Sequence, residues 1–60
     1  MTKQQIIDEL KGATSASVQT AFRQAEEKNG NFSYRFKKTW QYWTKTEWDI
    51  VAKEVKMYLA

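Results

Sequence analysis

Apolar side chains recur at helical spacing along most of this chain, and the breaks between repeats mark where each helix ends. Ile6, Ile7 and Leu10 fall on one side of a helix over roughly residues 3–11. Thr2-Lys3-Gln4-Gln5 opens it as a capping box: the Thr2 hydroxyl takes a free backbone N–H and Gln5 reaches back. Gly12 is the natural stop, and Asp8 and Lys11 are spaced to pair across one turn. Gly12 to Ser17 is small and polar and reads as a connection. Thr14, Ser15 and Ser17 then offer N-caps for a second helix, in which Val18, Ala21, Phe22 and Ala25 follow the i, i+3, i+4, i+7 template without a gap. Its Ala residues leave room for a neighbouring helix. Asn29-Gly30 supplies a left-handed exit, while Glu26 and Glu27 sit unfavourably at the negative end of the helix dipole.

A last helix begins at Thr46-Glu47-Trp48-Asp49 on the same cap logic. Trp48, Val51, Ala52, Val55, Tyr58 and Leu59 form its stripe, and Asp49 and Lys53 are spaced to pair at i,i+4. Ile50 and Met57 fall off that stripe and are expected to rim a small core rather than to form a dimer seam.

Residues 32–43 fit two periods. At about 100° per residue, Phe32, Phe36, Trp40 and Trp43 lie within an arc of roughly 80°, with Tyr34, Lys37, Lys38 and Gln41 opposite. At period two, Phe32, Tyr34, Phe36, Trp40 and Tyr42 share a face, and a hairpin about Lys37-Lys38-Thr39 would pair Phe36 with Trp40 and Tyr34 with Tyr42. No Gly, Asn or Asp lies between Phe32 and Lys45 to accept positive φ, so a tight primed turn is poorly encoded and helix is preferred. The expected fold is therefore all-α: one small domain over 1–60, a compact bundle of four short helices with a helix-turn-helix-like middle pair. The alternative is α+β, with two helices, an aromatic β-hairpin at 32–43 and a C-terminal helix.

Composition changes this picture in two ways. With 60 residues, the chain buries only about 60% of the surface its unfolded form exposes, so its core must be aromatic-rich. Without Cys or His it has no disulfide, no thiolate ligand and no imidazole base, and no signal-peptide pattern or membrane-spanning apolar run is present. A soluble, cytoplasmic protein is the expectation.

Charge then locates the functional surface. Asn31 to Lys45 holds six of the nine aromatic side chains, and Lys28 to Thr46 contains five basic residues and no acid. The rest of the chain balances to −2, so the whole formal +3 comes from this segment. Catalysis is not expected. Adjacent carboxylates such as Glu26 and Glu27 point about 100° apart on a helix, and Ser15, Ser17 and Thr39 have no evident base. There is no phosphate loop, cofactor motif or metal-ligand spacing. Tyr34, Arg35, Lys37, Lys38, Gln41 and Lys45 are the candidate nucleic-acid-binding residues, with Lys37 and Lys38 on phosphates and Tyr34 and Gln41 reaching bases, DNA before RNA. Arg35 is also placed to stack on Tyr42 or Trp40. Phe32, Phe36, Trp40 and Trp43 are expected in the core, with Tyr34 and Tyr42 evenly divided between core edge and contact surface. The competing function is a protein-interaction module or inhibitor anchored by exposed aromatics.

Overall fold

In the computed structural model, which describes residues 1–59, four α-helices enclose one core: α1 Lys3–Gly12, α2 Ala16–Asn29, α3 Phe32–Phe36 and α4 Lys45–Met57. A single 3₁₀ turn, Trp40–Tyr42, lies between α3 and α4. No strand occurs among the described residues, so the helical expectation holds and the hairpin alternative does not. The Cα radius of gyration, 10.3 Å, equals that of a well-packed chain of this length, about 10 Å.

The three longer helices each begin on a side-chain cap. Thr2 and Gln5 exchange hydrogen bonds at the start of α1 (3.1 and 2.7 Å), as the capping box predicts. The Ser15 hydroxyl accepts from the Val18 N–H to start α2. The cap of α4 is Thr44 rather than Thr46. Its hydroxyl accepts from the Glu47 N–H at 3.3 Å, and the Glu47 carboxylate accepts from the Thr44 N–H at 2.8 Å. Starting at Thr44 puts a Glu at the third helical position, long enough to reach back, where Thr46 would offer only Asp49.

Helix α1 ends one residue later than Gly12 suggests. Ala13 takes the left-handed conformation (φ 51°), and Thr14 fixes the exit by bonding Glu9 through both its backbone N–H and its hydroxyl. Gly30 ends α2 at φ 87°, the positive φ expected there. Glu26 gains compensation for its place in the dipole: its carboxylate accepts from the Phe32 N–H at 3.0 Å and pins the start of α3 onto α2. Neither Asp8–Lys11 nor Asp49–Lys53 closes, and among the described residues the only ion pair is Lys38–Glu47. Asp8 accepts instead from the Gln4 amide.

The core is aliphatic where the long helices meet. Ile6 and Ile7 of α1, Val18, Ala21 and Ala25 of α2, and Val51, Ala52 and Val55 of α4 are all buried. Small Ala side chains at the crossings let α2 and α4 approach closely. Phe32, Trp43 and Trp48 complete the core at one end. Ile50 and Met57 are exposed on α4, outside the core.

Residues 32–43 are not one continuous helix, and that part of the helix-turn-helix expectation is corrected. Lys37 turns left-handed (φ 60°) after only five helical residues. The Lys38 N–H bonds back to the Ser33 carbonyl (3.1 Å) and the Lys37 N–H to the Tyr34 carbonyl (3.3 Å), the double closure of a Schellman end. The chain then doubles back so that Trp43 packs edge-on against Phe36 (5.5 Å), Phe32 (6.5 Å) and Trp48 (4.8 Å). Its indole N–H donates to the Lys38 carbonyl at 3.0 Å, satisfying a polar group that burial would otherwise strand. This ring cluster outweighs the cost of about 1–2 kcal/mol for a non-glycine residue in the left-handed region.

Candidate functional site

The turn that buries Trp43 exposes its neighbours. Trp40 is 43% exposed and Tyr42 74%, against 7% for Trp43 and 6% for Trp48. Trp40 is thus not the core residue its helical position suggests, because the break after α3 moves it off the face it would share with Phe32 and Phe36. Its ring meets Trp48 edge-on at 6.5 Å, so it is anchored on one side and open on the other. Tyr34, 85% exposed, projects from α3. Phe36 is half-buried against Phe32 and Trp43.

Beside Trp40 lies an open groove of about 510 Å³ between α1 and the 3₁₀ turn. Its apolar floor is Ile7, Trp43 and Trp48, and its polar rim is Gln4, Lys11, Gln41 and Lys45. A second concavity on the other side of Trp40 shares Lys11 and the three Trp rings, and is closed by Leu10, Phe22 and Glu26. Lys11 holds its ammonium 5.2 Å from the Trp48 ring centroid, a cation–π contact that fixes the charge at the boundary of the two hollows. Trp43 spends its N–H on Lys38. No hydrogen bond engages the Trp48 N–H among the described residues, and no fully buried side-chain polar atom lacks a partner, so that N–H keeps some contact with solvent.

The six residues singled out in the sequence stand in different settings. Gln41 and Lys45 line the groove together. Lys37 is exposed at the left-handed end of α3, and Tyr34 stands outside the groove. Arg35 lies over the Phe32 ring at 5.9 Å rather than over Tyr42 or Trp40. Lys38 is tied to Glu47 at 2.9 Å, so its charge is matched by a carboxylate. Glu47 is held below the usual carboxylate range, first by the Thr44 backbone N–H and next by the Lys38 ammonium. Gln4, Ile7, Lys11 and Trp48 were not assigned to the site from sequence. Gln4 and Lys11 are seven residues apart on α1 and so share a face, but only the fold shows which rim of α1 meets the turn.

No helix among the described residues is long and apolar enough to cross a membrane. The chain matches no protein-family model, no curated protein and no solved structure.

Proposed function

We propose that this chain is a small non-catalytic docking domain that holds a partner protein through the exposed aromatic side chains of the Trp40–Tyr42 turn. The observation that carries this reading is the pairing of open rings with a rigid base: Trp40 leans on buried Trp48, and Tyr42 precedes buried Trp43. An aromatic ring fixed in place loses little conformational freedom on binding, and Trp and Tyr dominate interface energetics for that reason. The non-catalytic part rests on the lack of His and Cys. Absence of Cys also suits a reducing compartment, so a cytoplasmic partner belongs to the proposal.

Nucleic-acid binding through Tyr34, Arg35, Lys37, Lys38, Gln41 and Lys45 has less support. A phosphate track needs several free cations side by side, whereas Lys38 is paired and Arg35 lies against Phe32. The test is site-specific photocrosslinking from position 42 in the native cell. Protein adducts are expected, and Trp40→Ala, with helicity checked by circular dichroism, should reduce them by the roughly thirtyfold that loss of about 2 kcal/mol implies. Adducts that consist of nuclease-sensitive nucleic acid and vanish in Lys37→Glu plus Lys38→Glu would overturn the proposal.

A further inference from the structure

We infer that the groove between α1 and the Trp40 turn takes an acidic segment of a partner protein, with one apolar side chain on Trp40 and Trp48 and carboxylates meeting Lys11 and Lys45. The inference rests on the docking function proposed above and specifies its occupant.

The groove's lining is rich in donors and contains no carboxylate. Two ammonium groups and the amides of Gln4 and Gln41 surround the rings. The acids nearest in sequence to the rim are already engaged: Glu9 accepts from the Thr14 hydroxyl, Asp8 accepts from the Gln4 amide, and Glu47 accepts from Thr44 and pairs with Lys38. The hollow on the other side of Trp40 differs, because Glu26 lines it. The groove thus presents two cations and two side-chain amides around an apolar floor, and its complement is an acceptor-rich chain with an apolar anchor.

Lys45 supplies a second, independent indication. It is the first residue of α4, where the positive end of the helix dipole disfavours a cation and favours Glu or Asp. It is exposed and has no ion-pair partner among the described residues. A residue that works against its own helix while lining a groove is the kind of local inconsistency that marks a functional position.

The ring geometry favours a peptide over a base. Trp43 and Trp48 are buried, and the Trp40–Trp48 and Trp43–Trp48 planes meet at 71° and 64°. Single-stranded nucleic acids bind by laying bases on open ring faces, and of the three rings that line this groove only Trp40 is exposed. An aliphatic or Phe side chain, by contrast, needs only the apolar surface that Ile7, Trp43 and Trp48 supply.

The test is a ¹H–¹⁵N titration of the full chain that follows its indole N–H signals. The probes are a short peptide with one Phe among Asp and Glu residues, the same peptide with Lys at every acidic position, and a single-stranded thymidine oligonucleotide. The acidic peptide should move the Trp40 and Trp48 indole signals and leave that of Trp43, which is locked on Lys38. Lys45→Glu should weaken this binding by about tenfold or more while raising the thermal midpoint slightly, a combination that damage to the fold cannot produce. Lys11→Gln, which removes the other charge, should weaken it as well. Equal binding of the Lys peptide, a tighter response to the oligonucleotide, or silence of the Trp40 and Trp48 signals with every probe would overturn the inference. If crosslinking through the Trp40 turn still captures a protein in that event, the docking function stands and only its acidic occupant is lost. If crosslinking fails too, both fall.

Discussion

Apart from Phe22, Trp48 and Tyr58 at the end of α4, the frame of α1, α2 and α4 packs side chains no larger than Leu or Ile. The strap from Phe32 to Trp43 instead inserts Phe32, Phe36 and Trp43 with barely a turn of continuous helix. The frame's helices hold themselves by local hydrogen bonds and caps. The strap is held by side chains from outside it, with Glu26 on the Phe32 N–H and Glu47 on the Lys38 ammonium. The contrast shows how a chain this small presents a rigid aromatic surface. Regular helices set the positions, and an irregular segment, clamped at Phe32 and at Lys38 and stapled by the Trp43 ring, carries Trp40 and Tyr42 outward. The strap is integral to the fold, although it looks peripheral by secondary structure alone.

The strongest challenge to that view is Trp43→Ala. It removes a ring packed on three others and frees the Lys38 carbonyl, so a loss of about 3–5 kcal/mol is expected. A chain of this length has roughly 3–9 kcal/mol to lose. Urea denaturation followed by far-ultraviolet circular dichroism should therefore show a midpoint lowered by roughly a third or more, with much of the population unfolded in water if the starting stability lies at the low end of that range. Ile6→Ala in the frame should cost about 2–5 kcal/mol by the cavity it leaves. A Trp43→Ala protein with an unchanged urea midpoint would make the strap an appendage and undo the comparison.

A smaller effect separates backbone strain in the two regions. Lys37 in the strap and Ala13 in the frame both occupy the left-handed region. Lys37→Gly and Ala13→Gly should each stabilise the chain by about 0.5–1 kcal/mol, less any entropy gained by the unfolded state. Thermal midpoints of the two variants check this. A decrease for Lys37→Gly alone would mean that the Lys37 side chain contributes to the strap beyond its backbone conformation.

What was legible in the sequence follows the same division. The frame's helices could be placed because their apolar stripes repeat at one period and their caps have named chemistry, as Thr2, Ser15 and Val18 to Ala25 show. The cap pattern at Thr46 overlaps the one at Thr44 that the helix uses, and the two differ only in the reach of Asp49 and Glu47. The strap was harder for a physical reason. No Gly, Asn or Asp marks its turn, since burial of Trp43 forces Lys37 into a conformation that its own preferences oppose. A continuous stripe therefore put Trp40 inside. The exposed aromatic cluster was legible from the rings gathered in one stretch, and of the six residues named beside it Gln41 and Lys45 line the groove. Lys11 and Gln4 were not legible, because they reach it from α1, across a contact that no local pattern encodes.

The smallest expected effect tests the junction between the two regions. Glu47 caps α4 and holds Lys38 of the strap, and both interactions favour its ionised form, so its folded pKa lies below its unfolded value. The folded state then binds fewer protons than the unfolded state over that interval, and stability rises with pH across it. The contribution is fully present above the unfolded value and is lost as pH falls through the lower, folded one. Glu47→Gln keeps an oxygen for the Thr44 N–H but removes the charge, and should flatten this part of the acid-unfolding profile. Because the pair with Lys38 is solvent-accessible, added salt should flatten the wild-type profile in the same direction, though less, since the backbone bond to Thr44 is screened less than the ion pair. If the junction matters to the strap, the same acid titration should move the Trp43 indole signal before the helical signal of the frame declines. Simultaneous loss of both would show that strap and frame melt as one unit and that Glu47 is only a helix cap.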